Sequence, residues 1–232
     1  MTKGKLIVIE GTDCSGKQTQ SELLFEKLKS LGHDCEIISF PKYGTPTGDI
    51  VGDCYLGKGK RVEVGSWFGD ADKLDPKIAC LYYAADRKAA ALDIKDKLDG
   101  GKIIILDRYV ESNMGHQCGK LLDEEERAKL RDWIEKLEYG LLELPRPDLI
   151  IFLYMPFEAA EKLKGDRGEV LDSHESNENH LRNAEKSYLE LSEFYDWRKV
   201  LCSEDGRNAR TIEDIHNEVF RVVSNYVSSH TS

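Results

Sequence analysis

The stretch Gly11-Thr12-Asp13-Cys14-Ser15-Gly16-Lys17, continued by Gln18-Thr19, constrains this chain more than any other segment. It follows a short apolar run, Leu6-Ile7-Val8-Ile9, and precedes a segment with Leu24, Leu28 and Leu31 at i, i+4, i+7 and Gly32 placed to stop a helix. Glycines there let backbone N–H groups curl around phosphate oxygens. The start of the following helix adds positive potential, and Lys17 neutralises the outer phosphates. The strand, loop and helix context is the one a phosphate cradle requires. One position departs from the usual pattern: the place after the lysine, where a Ser or Thr hydroxyl normally ligates magnesium, holds Gln18. Gln18 can ligate through its amide oxygen or through water, and Thr19 is the adjacent hydroxyl.

The rest of the chain repeats the theme. Glu36–Phe40, Ile103–Leu106, Leu149–Leu153 and Val200–Cys202 are short strand candidates separated by helical periodicity, which argues an α/β fold with a doubly wound parallel sheet. A second helix is expected from Asp75-Pro76 with Ile78, Leu81, Tyr82 and Ala85 on one stripe, a third carries Leu130, Ile134, Leu137 and Leu141, and the last opens at Thr211 with Ile215, Val219, Val222 and Tyr226 on one side. The 232 residues fit one α/β domain. Within it, 41–74 is Gly-rich and irregular, as a substrate-side flap would be. Residues 162–180 are charged and without apolar period, as a mobile lid or a solvated surface loop would be.

Net charge narrows the partners. At −10 the chain is a poor match for a nucleic acid backbone or an anionic membrane, so any anion must be met by locally placed cations. Its six cysteines are scattered without CxxC pairs and read as reduced thiols. With no secretion signal and no long apolar run, the expected location is cytoplasmic.

Three further groups carry chemistry. Asp107-Arg108-Tyr109 ends a strand candidate, where strand ends converge on a phosphate site; Asp107 can organise magnesium and its waters while Arg108 faces transferred charge. Tyr83 and Arg87, at i and i+4, would suit a planar ligand bearing a phosphate, although a core tyrosine beside a snorkelling arginine has the same spacing. Asn113 and Gln117, again at i and i+4, can read the edge of a base or be ordinary helix-surface amides.

Together these residues resemble a known family. GTDCSGKQTQ, FPKY at 40–43, YYAADR at 82–87, DRYVESN at 107–113 and PDLIIFL at 147–153 are similar, in order and over nearly the whole chain, to thymidylate kinase. The resemblance implies a nucleoside monophosphate kinase fold with a five-stranded parallel sheet and a lid, ATP and Mg²⁺ as cofactors, and the reaction dTMP + ATP to dTDP + ADP. It implies that Asp13 contacts the sugar 3′-hydroxyl or the acceptor phosphate region, that Tyr83 stacks on thymine, that Arg87 lies near the nucleotide and that Arg108 helps hold the acceptor phosphate. It also implies a homodimer.

On this reading the loop from Gly11 to Thr19 binds ATP, and Lys17, Arg108 and Mg²⁺ stabilise charge on the phosphoryl group in flight. Some relatives place a catalytic arginine in the loop. Here Cys14 and Ser15 stand there, so a second cation must come from the lid, where Arg167 is chosen over Lys162 and Lys164 because a guanidinium bridges two oxygens. Pairing of Arg167 with Asp166 or Glu169 in solvent is the alternative. Lys42-Tyr43 stands where many relatives carry an arginine, and His116 where they carry Tyr or Phe against the sugar. A deoxynucleoside kinase, a kinase for another monophosphate and a non-catalytic nucleotide switch are the competing readings.

Overall fold

A computed structural model describes residues 3–57, 69, 73–167 and 178–229, without the side chains of residues 166 and 167. Five short strands, β1 (Lys5–Gly11), β2 (Cys35–Ser39), β3 (Ile103–Asp107), β4 (Leu149–Tyr154) and β5 (Arg198–Leu201), form one parallel sheet in the order β2-β3-β1-β4-β5. The expected α/β class and doubly wound sheet are therefore found. The central strands are β-branched runs buried on both faces, and successive side chains point to opposite sides. Leu6, Val8, Ile104 and Leu106 face one layer of helices, while Ile7, Ile9, Ile103 and Ile105 face the other.

The first layer contains α3 (Pro76–Asp99), α4 (Val110–Cys118), α5 (Glu124–Glu135) and α7 (Glu178–Phe194); the second contains α1 (Lys17–Ser30), α6 (Phe157–Arg167) and α8 (Ile212–Ser229). A short α2 (Pro46–Asp49) continues into a π turn at 50–55, which buries Val51, Cys54 and Tyr55 where the flap shows a short helical pattern. The chain leaves β1 to one side for β2 and β3 and crosses to the other for β4 and β5. The carboxyl end of β1 thus lies at the reversal point, where open α/β sheets bind ligands.

Helix ends follow local chemistry. The Asp75 carboxylate accepts from Lys77 N–H at 2.8 Å with Pro76 in the first turn, and Thr211 Oγ1 accepts from Asp214 N–H at 3.1 Å. Gly32, at φ 84°, closes α1, with His33 N–H donating to Leu28 O at 3.2 Å. Leu31 is therefore the exposed cap of α1 and does not extend its apolar stripe.

Two other expected stripes are shifted. On α3 the buried face is Ala79, Cys80, Ala84, Ala91 and Ile94, while Ile78, Leu81 and Ala85 face outward. The helix has two apolar stripes, and the one of smaller side chains lies against the sheet. After α5 a π turn at 136–141 adds about one residue to the turn, carrying Leu141 out to 79% exposure while Glu138 is buried.

One buried acid lies off the substrate path. Glu111 on α4 accepts from Tyr139 O–H at 2.7 Å through Oε1, and its Oε2 has no hydrogen-bond partner among the described residues. Burial pushes its carboxyl from an ordinary 4.5 up to about 7. The folded protein then binds this proton more tightly than the unfolded chain, so the stability it contributes is complete below about pH 4.5 and falls as pH rises through about 7. Glu111→Gln, which keeps the Tyr139 bond, is expected to remove that fall and to gain on the order of 2–3 kcal/mol at pH 8. Denaturant melts of both proteins between pH 4 and 8 check it, and parallel curves would reject it.

Candidate active site

The turn between β1 and α1 is shaped by steric necessity. A side chain at Gly11 would run into Ser15 Oγ and the Leu153 carbonyl, and Gly16 caps α1 in the left-handed region at φ 78°. Thr12 fixes the loop to the end of β4: its hydroxyl donates to Met155 O at 2.7 Å and accepts from Met155 N–H at 2.8 Å. Lys17 Nζ lies across the loop, donating to Thr12 O at 2.7 Å and Gly11 O at 3.1 Å. Burial, with Arg108 close by, lowers the Lys17 ammonium to about 8, so it stays largely charged at neutral pH. The buried Ser15 Oγ has no partner among the described residues, which suits a loop built to receive external oxygens.

Asp13 leaves the loop toward the acceptor side and meets Lys164 of α6, with Nζ to Oδ2 at 2.7 Å. Burial raises the Asp13 carboxyl, but the hydrogen bond from Lys164 and the charges of Lys17 and Arg108 outweigh it, leaving it below its ordinary value. Cys14, at φ 52°, is pushed up to about 11 by burial and by Asp13, which leaves a protonated thiol at neutral pH.

The carboxyl end of β3 supplies the second half. Arg108 takes a left-handed conformation, φ 67°, uncommon for a side-chain-bearing residue and a form of strain that surrounding structure must hold. Holding it is Glu10, the buried last acid of β1. Glu10 Oε1 accepts from Tyr109 N–H at 2.9 Å and Ser112 O–H at 2.7 Å, and its Oε2 accepts from Tyr188 O–H at 3.2 Å. Asp107, beside Arg108, is pushed up by burial against the pull of Arg108 and Lys17, and its Oδ1 is buried without a hydrogen-bond partner among the described residues.

From Asp13 and Arg108 a cleft of roughly 760 Å³, open to solvent, runs between α3 and α4. Of the expected substrate residues it gathers Asp13, Tyr43, Tyr83, Arg87, Arg108, Asn113 and Gln117, together with His116. Tyr83 is braced edge-on by Tyr55, centroids 5.6 Å apart at 82°, which fixes its plane. The loop at 40–47 is tied to α3 by Asp86, which accepts from Lys42 N–H at 2.7 Å and Thr47 O–H at 2.8 Å.

The structure places several expected residues differently from their spacing. Arg87 lines the cleft but its charge is already paired: it is 1% exposed and its Nε and Nη2 donate to Glu138 at 2.5 and 2.6 Å, because a guanidinium so deep requires a counter-ion. Lys42 is fixed through its backbone and does not line the cleft. The amide of Gln18 donates to Glu22 at 2.9 Å along the exposed side of α1, so the geometry gathers Asp107 and not Gln18. Arg167 ends α6, with its side chain outside the described residues, as are residues 168–177 of the expected lid and 58–68 and 70–72 of the expected flap.

Sequence reading passed over Glu10, Glu138 and the reach of Lys164. Glu138 alone left a signal: a charged residue four positions after Ile134 on an apolar stripe.

A family model described as thymidylate kinase matches residues 9–219. The thymidylate kinase of Schizosaccharomyces pombe is 30% identical over 224 residues, covering 96% of this chain and 93% of the relative; the human enzyme is 31% identical, covering 96% and 90%. The chain belongs to the thymidylate kinase family. It is thus an enzyme, a nucleotide-binding phosphotransferase with ATP as donor. The solved structure of the Candida albicans thymidylate kinase shares the fold, with TM-score 0.72 at 23% identity and coverage of 97% of this chain and 93% of that one. No helix among the described residues is long and apolar enough to cross a membrane.

The loop geometry of this kinase generates a direct test. Gly11→Ala places a Cβ against the rigid Leu153 carbonyl, and overpacking of this kind costs about 1–3 kcal/mol. Calorimetric titration with ATP is expected to show affinity reduced at least ~10-fold. Unchanged affinity would mean that the loop makes room for the added methyl group.

Proposed function

We propose a division of labour by which this thymidylate kinase transfers the γ-phosphoryl group of ATP to dTMP, giving dTDP and ADP. What supports it is one continuous cleft that joins the phosphate loop, through Asp13 and Arg108, to the aromatic and amide groups of α3 and α4. In this arrangement the loop from Gly11 to Thr19 cradles the ATP phosphates with backbone N–H groups, and Lys17 neutralises the outer pair. Tyr83 offers a braced ring for thymine to stack on, and Asn113 and Gln117 meet its edge. Arg108 binds the acceptor phosphate and turns it toward the γ-phosphorus for in-line attack, while Asp13 orients the sugar or acceptor end.

Little covalent work remains for the protein beyond positioning and neutralisation. Magnesium fits the donor set at Asp107, a hard oxygen buried without a partner; when bound it supplies charge neutralisation at the phosphates. Lys164, held at 2.7 Å from Asp13, is the lid-side cation of this scheme in place of Arg167. The enzyme acts as one domain in which 41–74 serves as flap and 162–180 as lid. Six free cysteines accord with a cytoplasmic location.

A coupled ADP-release assay with dTMP, other monophosphates and thymidine tests the acceptor. Lys17→Met and Lys164→Met are each expected to lower kcat on the order of 10²-fold, the cost of removing one preorganised charge. A Lys164→Met enzyme with wild-type kcat would return the role to Arg167.

We also propose that the enzyme pairs through α3. Ile78, Leu81, Ala85, Ala89 and Leu92 form an outward apolar stripe at spacings of three and four, with Leu81 50% and Leu92 71% exposed. The two alanines let a second copy of the helix approach closely. Sedimentation is expected to show a dimer that Leu81→Asp converts to monomer, and a wild-type monomer at tens of micromolar would reject the pairing.

A further inference from the structure

Two histidines meet where the cleft wall touches the helix that follows the expected lid. His116 of α4 lines the cleft, and the buried His180 of α7 lies against it. His116 Nδ1 and His180 Nε2 are 3.3 Å apart, with the rings 5° from parallel and their centroids 5.5 Å apart. That centroid separation is the nitrogen distance plus one ring radius on either side, which requires both nitrogens to lie on the line between the centres. The imidazoles therefore sit edge to edge in one plane, sharing a single N–H between two nitrogens. Such a pair takes up one further proton readily, because the imidazolium still donates to a neutral neighbour. It resists a second, which would set N–H against N–H.

The two helix ends decide which ring carries the charge. His116 is in the last turn of α4, where the carbonyl end of the helix favours a cation, and His180 is in the first turn of α7, where the N–H end disfavours one. The added charge thus settles on His116, the member that lines the cleft, while His180 accepts from it through Nε2.

The elements around the pair bring charges that are mostly held by partners of their own. On α7, Tyr188 meets the His116 ring edge-on at 5.6 Å with its hydroxyl kept un-ionised by burial, and Glu178 is bonded to Arg182 at 3.0 Å, as Arg182 is to Glu158 of α6 at 2.9 Å. On α5, Arg127 is bonded to Glu190 at 2.8 Å. Toward the cleft, α3 brings Tyr83 and Arg87 with its counter-ion Glu138, the loop after β1 brings Asp13 paired with Lys164, and Lys120 beyond α4 donates to the Tyr55 hydroxyl at 3.3 Å. Arg108 is left as the cation of that wall, and it already has Glu10 and Asp107 close by. A phosphate monoester, close to a dianion at neutral pH, brings more negative charge than one guanidinium offsets.

We propose that His116, with His180 as its hydrogen-bond partner, is a titratable cation of the acceptor site, and that the acceptor's phosphate dianion is bound together with one proton taken from solvent at this pair. The proposal rests on the reading of the cleft as the dTMP site and adds to it a charge that appears when the ligand does. By linkage, a dianion that prefers the protonated pair also makes the pair easier to protonate.

Calorimetric titration of wild-type enzyme near pH 7, inside the range where imidazole changes charge, reads that proton when repeated in two buffers of different ionisation heat. dTMP is expected to bind with net proton uptake, and thymidine, which lacks the phosphate, without it. Ionisation of the ligand phosphate works the opposite way, since cations that bind it favour proton release. His116→Phe is expected to abolish the uptake and His180→Phe to lower it. Between about pH 8.5 and 6.5, KM for dTMP is expected to fall at least ~5-fold further in wild type than in His116→Phe, while KM for ATP moves in parallel in the two enzymes. A His116→Phe enzyme whose KM for dTMP is raised equally at every pH would mark the residue as a space-filler and overturn the proposal. Wild-type binding of dTMP without uptake, equal uptake with thymidine, or undiminished uptake in His180→Phe would overturn it as well. Should neither variant fold, the comparison of dTMP with thymidine on wild-type enzyme decides. Binding of neither ligand would overturn the reading of the cleft itself, a result distinct from firm dTMP binding with no proton taken up.

Discussion

A carboxylate at the end of the central strand holds the two halves of the site in register. Glu10 accepts from the backbone of Tyr109, from Ser112 and from Tyr188, so the strand that carries the phosphate loop is bonded directly to the start of α4 and to α7. A buried carboxylate is costly unless its oxygens are occupied, and here each one is. The bond to Tyr109 N–H also restrains the residue before it, Arg108, in its left-handed conformation beside the loop. Without this hub, nothing in the local sequence around Arg108 would favour that backbone geometry.

Buried and half-buried acids recur as the organising device. Asp86 ties the 40–47 loop to α3, Glu138 ties α3 to α4, and Asp13 ties the loop to α6 through Lys164. Each sits on a different element, and each holds a partner that lines or borders the cleft. In a protein of net charge −10 this arrangement also explains how an anion pair can be received at all. The cations assigned to the phosphates in the proposed scheme, Lys17, Arg108 and Lys164, are held locally against acids, so the site's potential does not follow the overall charge.

The readable parts of the site were those defined by contiguous residues. Gly11 to Lys17, Asp107-Arg108 and the pairs Tyr83/Arg87 and Asn113/Gln117 carry their chemistry in short spacings, and Asp13, Tyr83, Arg87, Arg108, Asn113 and Gln117 are brought to the cleft. Arg87 shows where spacing misleads. Its distance from Tyr83 placed it correctly on the wall, yet the acid that takes up its charge lies 51 residues away. Glu138 lies four positions after Ile134 on the buried stripe, and the π turn at 136–141 carries Leu141, which a period of 3.6 residues places on that stripe, out into solvent. On α3 two apolar stripes competed, and the alanine-rich one was buried.

By itself, then, the sequence determined the sheet, the phosphate loop and the order of the cleft's parts, since each depends on local pattern: β-branched runs, glycine geometry and i, i+4 spacing. Tertiary structure alone decided which charges are neutralised and which remain for ligands. Electrostatic partnership depends on distance through space, and Arg87 with Glu138, Asp13 with Lys164 and Glu10 with Tyr188 are brought together only when helices from distant parts of the chain close over the same strand end.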